Sequence, residues 1–206
     1  MSSPAPLLCL ASASPRRSAL LEQIGIPHRV VPAAIDESPR AAEAASEYVL
    51  RLARGKAAAV AGDAQRAGGL PVLGADTSVI IDGRILGKPA TLAEAREMLQ
   101  LLGGRTHEVL SAVALHAGGA LQSTLSRTLV RMRRLPRAEI DAYWASGEPR
   151  DKAGGYAIQG LAAVFIEHIE GSYSGVMGLP LFETAALLRA AGVTGAQAGA
   201  SMQGAP

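Results

Sequence analysis

The residues able to do chemistry are scattered single charges: Arg16, Arg17, Lys56, Lys88 and Lys152 as cations, Glu37 and Asp76 as carboxylates. Chemistry on a polyphosphate needs both kinds. Cations offset the negative charge that grows on phosphoryl oxygens. A carboxylate binds a divalent cation or takes the proton from an attacking water. The pair Arg16-Arg17 stands out because it directly follows Ser14-Pro15. Ser14 suits a helix N-cap and Pro15 the first helical position, so two guanidinium groups fall in a first turn, where the macrodipole disfavours cations. Helix N–H groups and arginine forks aimed at one place would hold a polyanion. Taken alone, the pair reads more simply as solvated surface charge or as partners of carboxylates elsewhere. Spacing by itself does not bring the set together in space.

Other site chemistries find no footing. There is no GxxxxGK[ST] phosphate loop, no GxGxxG and no nucleophile elbow. His28, His107, His116 and His168 are isolated and form no Cys/His metal motif. With 206 residues, 49% apolar and 18% charged, the chain can bury a sizeable core. Aromatics at 3% argue against a stacking platform for single-stranded nucleic acid. A net charge of +2 argues against a broad, stable nucleic-acid face but leaves room for a small phosphate pocket. The lone Cys9, in an apolar run, suits a buried position in a reducing compartment. No apolar stretch is long enough to span a bilayer, and the N-terminus lacks the charged and apolar regions of a signal peptide. The expectation is a cytoplasmic chain without membrane contact.

The elements that must position these charges follow from pattern. Residues 7–10 read as a buried strand, 15–24 as a helix closed by Gly25, and 27–32 as a strand. Asp36 and Glu37 fall in a loop. Residues 42–61 form a helix whose apolar stripe takes in Tyr48, Val49, Leu52, Ala53 and Ala59. Lys56 lies in that stripe, although a lone helical lysine normally faces solvent. Residues 62–69 read as a loop. Residues 72–75 read as an interior strand with Asp76 at its carboxyl end, where open α/β sheets bind ligands. Strands 78–81 and 84–86 flank Asp82-Gly83 as a hairpin. Thr91 to Glu94 is a capping box opening a helix that ends at Gly103-Gly104. Residues 106–116 and 121–131 form a second hairpin, with Arg127, Arg131, Arg133 and Arg134 on an exposed face. A helix over 137–146, a glycine-rich loop over 147–160, a strand over 163–169 and a helix over 181–191 complete the chain. Small residues in that loop would let backbone approach a ligand. The fold class is α/β, a mixed twisted sheet flanked by helices, with two lobes around a central cleft. Residues 1–193 are read as a single domain and 194–206, rich in glycine and alanine, as a disordered tail.

Taken in order, several short blocks resemble the Maf family of nucleoside triphosphate pyrophosphatases, a relative in architecture of the inosine triphosphatase fold. The blocks are Ala11-Ser12-Ala13-Ser14-Pro15-Arg16-Arg17, Gly74-Ala75-Asp76-Thr77, Leu86-Gly87-Lys88-Pro89, Ser146-Gly147-Glu148-Pro149, Asp151-Lys152-Ala153-Gly154, Ile158-Gln159-Gly160 and Gly175-Val176-Met177-Gly178-Leu179-Pro180. Each is weak alone; their order and distances make coincidence very improbable. The resemblance implies hydrolysis between the α and β phosphates, to a monophosphate and pyrophosphate, with Mg2+ or Mn2+. It implies Asp76 as catalytic base and Asp76 or Glu37 as metal ligand. Arg16, Thr77 and Gln159 match positions that decide which base is accepted, and Ser14, Arg17, Lys56, Lys88 and Lys152 match residues about the phosphates. The Thr77 and Gln159 pairing resembles the subgroup acting on dTTP and UTP, and modified pyrimidine nucleotides come within that reading; a glutamine amide offers a donor and an acceptor to a pyrimidine edge. The alternatives are a 7-methyl-GTP pyrophosphatase, or a non-catalytic, nucleotide-responsive inhibitor of cell division. A homodimer is implied by resemblance only. Gly55 departs from the pattern, standing where relatives often carry a charge.

Overall fold

The structure, a computed structural model, describes residues 4–194. Apart from Thr194, the tail predicted to be disordered lies outside the described residues. The strands are β1 (Leu8–Leu10), β2 (His28–Val30), β3 (Val72–Ile81), β4 (Arg84–Leu86), β5 (Thr106–Ala117), β6 (Ala120–Met132) and β7 (Ile166–Glu170). The helices are α1 (Pro15–Gln23), α2 (Ala45–Ala61), α3 (Ala64–Ala67), α4 (Leu92–Leu102), α5 (Arg137–Ala145), α6 (Tyr173–Met177) and α7 (Leu181–Ala190). All strands join one sheet in the order β2-β1-β3-β5-β6-β7, with β4 against β3. β1 runs parallel to β2 and β3, and the remaining pairings are antiparallel. The expected mixed sheet flanked by helices is present.

β3 is the axis of this sheet. One of its edges pairs with β5 from Val72 to Ile80. The other edge is shared: β1 takes Val72 and Leu73, and β4 takes Val79 to Ile81. Residues 74–78 therefore lie beside a gap in the sheet. Side chains alternate across the strand. Ile80 faces α2 together with Leu110, Ala112 and Ala114 of β5. On the opposite face, Leu73 and Ala75 pack with Leu20 and Leu21 of α1 and Leu188 of α7. Further along that face, Val79 and Ile81 pack with Leu99 and Leu102 of α4 and Ile140 and Tyr143 of α5. Two apolar clusters thus lie on one face of the sheet, with the gap between them.

Several expectations are corrected. β3 is one strand of 10 residues with Asp76 in its middle rather than at its end, because the ladder to β5 keeps the polar Asp76-Thr77-Ser78 segment extended. Residues 62–69 contain α3, whose N-cap Asp63 accepts from the N–H of Arg66. Residues 161–165 form a 3-10 turn, so the last strand begins at Ile166. α6, capped by Ser172, was missed because its five residues are too few to show a period. Ser14 stands at the N-cap of α1, but its side chain caps nothing; its N–H donates to Ser12 Oγ at 3.2 Å. On α2 the buried stripe runs through Val49, Leu52, Ala53, Lys56, Ala57 and Val60, and Ala59 is exposed. The helical period carries Lys56 inward with its apolar neighbours.

A polar pair sits inside the α4/α5 cluster. The His107 ring nitrogen Nε2 lies 2.7 Å from the Tyr156 hydroxyl, both residues are buried, and His107 Nδ1 has no partner among the described residues. Burial pushes the His107 pKa down from 6.5 to about 4. Unfolded chain thus takes up a proton that the folded chain refuses across that interval, so stability falls as pH drops from about 6.5 to about 4. The expected loss is about 3 kcal/mol, read by urea unfolding at stepped pH, and His107→Gln should flatten this part of the profile.

Candidate active site

The site begins with a missing side chain. A Cβ on Gly74 would lie 2.2 Å from the Ala53 carbonyl oxygen and 2.6 Å from the Ala57 nitrogen, so only glycine lets α2 lie this close to β3. Lys56 is borne on that turn of α2, and Asp76 is two residues beyond Gly74 on the same face of β3. The consequence is a buried ion pair: Lys56 Nζ to Asp76 Oδ1 is 2.8 Å, with side chains 9% and 10% exposed. Lys56 Nζ also meets Glu37 Oε1 at 2.8 Å, on a side chain 54% exposed. One ammonium thus gathers a dry carboxylate and a wet one. The Tyr48 hydroxyl donates to the Glu37 carbonyl at 2.9 Å and ties that loop to α2. Gly55, the departure from the family pattern, leaves room for Ile35, whose Cδ1 would lie 3.2 Å from a Cβ there.

The arginines are held by backbone on the other side of the gap. Arg17 Nε donates to the Gly178 carbonyl at 2.8 Å and Nη1 to Ser12 Oγ at 3.0 Å. Arg16 Nε donates to the Met177 carbonyl at 3.2 Å. The first turn of α1 therefore spends part of its charge on the carbonyl end of α6, which offsets the unfavourable macrodipole. Thr77, next to Asp76 but on the opposite face of β3, has Oγ1 2.9 Å from Ser111 Oγ and 3.3 Å from the Gly178 carbonyl. The far rim is made by two loops pinned together where the Gly154 N–H donates to the Gly87 carbonyl at 2.9 Å, which brings the Lys88 and Lys152 segments side by side. Gln159 is exposed on a loop clamped by Glu148, whose carboxylate accepts from the N–H groups of Leu161 and Ala162 and from the Tyr143 hydroxyl.

All the residues singled out from the sequence, Ser14, Arg16, Arg17, Glu37, Lys56, Asp76, Thr77, Lys88, Lys152 and Gln159, line one cleft of about 710 Å³. Ser111, Glu148 and Tyr143 were not singled out. A lone serine in the small-residue strand 111–114 and a tyrosine in a helix give no local signal, and Glu148 was read only as part of a motif. Burial raises the Asp76 pKa from its ordinary value, Lys56 and Arg17 pull it back, and Glu37 adds to the rise. Burial also lowers the pKa of Arg16, Arg17 and Lys152, against the attraction of neighbouring acids. A basic carboxylate beside fixed cations can take a proton from water while negative charge nearby is neutralised. Among the described residues no group of three or more His, Cys, Asp and Glu side chains converges. The donors near one another are the carboxylates of Glu37 and Asp76, hard oxygens of the kind magnesium takes alongside waters and phosphate oxygens. Gly74→Ala should separate Lys56 from Asp76, lowering stability by on the order of 3 kcal/mol and turnover with it. Urea unfolding and a turnover assay on the same preparation check both.

The family model for Maf-like proteins matches residues 7–191. A dTTP/UTP pyrophosphatase of Bordetella parapertussis is 56% identical over 196 residues, covering 91% of this chain and 94% of its own. A dTTP/UTP pyrophosphatase of Methylococcus capsulatus is 54% identical over 186 residues, covering 90% and 91%. A third, from Methylobacillus flagellatus, is 56% identical over 184 residues, covering 89% and 92%. With a family model matching nearly its whole length and relatives this similar, this chain belongs to the Maf-like protein family.

Proposed function

We propose that this chain is a nucleoside triphosphate pyrophosphatase that hydrolyses dTTP and UTP to the monophosphate and pyrophosphate. The observation that carries the reading is the Asp76 carboxylate, buried at the floor of a cation-lined cleft with its pKa raised. Asp76 accepts the proton of the attacking water. Lys56 orients that carboxylate and keeps it ionised through the 2.8 Å contact. Arg16, Lys88 and Lys152 hold the phosphate chain along the rim, with Arg17 behind them fixing Arg16's turn to the carbonyls of α6. Glu37 and Asp76 would hold a divalent cation, Mg2+ or Mn2+, which when bound supplies Lewis-acid polarisation of a phosphoryl oxygen. Both carboxylates sharing Lys56 Nζ support that placement.

The names of the relatives favour pyrimidine triphosphates over 7-methyl-GTP. Among the described residues no helix is long and apolar enough to cross a membrane. The reading extends to the cytoplasm, where a buried free thiol such as Cys9 stays reduced, and to a homodimer, which light scattering would check. Pyrophosphate release should be greatest with dTTP and UTP in a panel including CTP, GTP, ATP and 7-methyl-GTP. Asp76→Asn should lower it by about 10²–10⁴-fold while nucleotide binding persists. Unchanged release in that variant would remove Asp76 from the chemistry. Binding without release from any triphosphate would instead favour a nucleotide-responsive module.

A further inference from the structure

Ser111 lies directly across from Thr77 in the β3–β5 ladder, on the same face of the sheet, and is 1% exposed. Its Oγ is 2.6 Å from the Gly175 carbonyl oxygen. A carbonyl only accepts, so the single hydroxyl proton of Ser111 goes there. The same Oγ is 2.9 Å from Thr77 Oγ1. With its own proton spent, Ser111 can only accept in that contact, and Thr77 must donate. The remaining oxygen near Thr77 Oγ1, the Gly178 carbonyl at 3.3 Å, is also a pure acceptor. Among the described residues, then, the partners of Thr77 all draw its proton into the protein. Thr77 is half-buried and lines the cleft, so what it offers a ligand is a lone pair.

We propose that Ser111 is a positioning residue that locks Thr77 as a pure acceptor toward the cleft, and that this acceptor selects a pyrimidine with a ring N–H, uracil or thymine, over cytosine. The inference rests on the dTTP/UTP reading above. Uracil and thymine share an edge ordered acceptor, donor, acceptor, with N3–H in the middle. Cytosine presents a donor and then a bare N3. An acceptor-only hydroxyl meets the imide N–H with a hydrogen bond but sets two lone pairs against each other with cytosine, leaving a desolvated acceptor unpaired. Phosphate oxygens are themselves acceptors, so Thr77 has nothing to offer them. Position on the sheet agrees: Thr77 and Asp76 point to opposite faces of β3, which separates this hydroxyl from the carboxylate that faces Lys56. Ser111 is thus the residue through which the α6 turn, which also holds both arginines, fixes the hydrogen-bond direction at the cleft floor.

The test compares kcat/KM for UTP, CTP and N3-methyl-UTP in the unmodified protein, Ser111→Ala, Thr77→Val and Thr77→Ser, with binding of the same nucleotides followed by calorimetry. The unmodified protein should prefer UTP over both others by about tenfold or more, the weight of one hydrogen bond. Thr77→Val should lose that preference and Thr77→Ser keep it. Ser111→Ala leaves only the longer 3.3 Å contact to the Gly178 carbonyl to take the Thr77 proton, so it should narrow the UTP-to-CTP ratio by less than Thr77→Val does, chiefly by improving CTP, whereas a merely structural serine would depress both substrates alike. Equal use of UTP and N3-methyl-UTP by the unmodified protein would overturn the inference, and this arm needs no variant to fold. Rejection of 3′-deoxy-UTP that disappears in Thr77→Val would overturn it too, by placing a sugar hydroxyl at Thr77. Discrimination in binding without any hydrolysis would sink the hydrolase reading and leave this inference standing.

Discussion

The contact between α2 and β3 at Gly74 governs the rest of the molecule. A helix rests on a strand with no side chain between them, and Lys56 of that helix reaches Asp76 of that strand at 2.8 Å. Desolvating two charges is costly, and a buried ion pair is weak evidence of stability. Breaking one by removing a single partner typically costs about 3–5 kcal/mol, because the survivor stays buried and unpaired. The arrangement is understandable as a device for keeping a carboxylate both dry and ionisable. Burial raises the affinity of Asp76 for a proton, and Lys56 and Arg17 limit the rise. A base tuned between these pulls is what proton abstraction from water needs.

The second constraint is topological. β3 pairs fully with β5 on one edge but is covered on the other only at its two ends, by β1 and β4. The uncovered middle exposes both faces of one strand to one cleft. Adjacent residues can then serve different purposes: Asp76 looks toward α2 and its cation, Thr77 toward Ser111 and α6. A fully paired central strand would have buried both. The short length of β1 and β4, three residues each, is therefore a condition of the site.

The basic walls depend on backbone more than on side chains. Arg16 and Arg17 are anchored by the carbonyls of Met177 and Gly178, and the Lys88 and Lys152 loops by the bond from Gly154 to Gly87. Glu148 accepts from two N–H groups behind Gln159, and a Cβ on Gly160 would strike that carboxylate. Loops held this way can present flexible cationic side chains to a phosphate chain while the frame beneath them stays fixed.

By itself, the sequence determined the longer elements, the α/β class and a candidate set of side chains, because these depend on local period, on turn residues and on short motifs. The helix at Pro15, the N-cap at Thr91 (with Glu94 reaching back to the N–H of Ala90 rather than of Thr91) and the long hairpin at Gly118-Gly119 are local events, and each is present. Short elements escaped, since α3 and α6 have only four and five residues, too few to show a period. Motif order along the chain also carried the family and the whole candidate set, although distance in space did not follow from it. Only the tertiary structure decided that Lys56 is buried rather than solvated, that Asp76 sits in mid-strand beside a gap, and that Ser111 lies against Thr77. Each of those facts joins residues far apart in the chain: 20 positions from Lys56 to Asp76, 34 from Thr77 to Ser111, 161 from Arg17 to Gly178. Such contacts are set by packing and strand register, which no window of sequence contains.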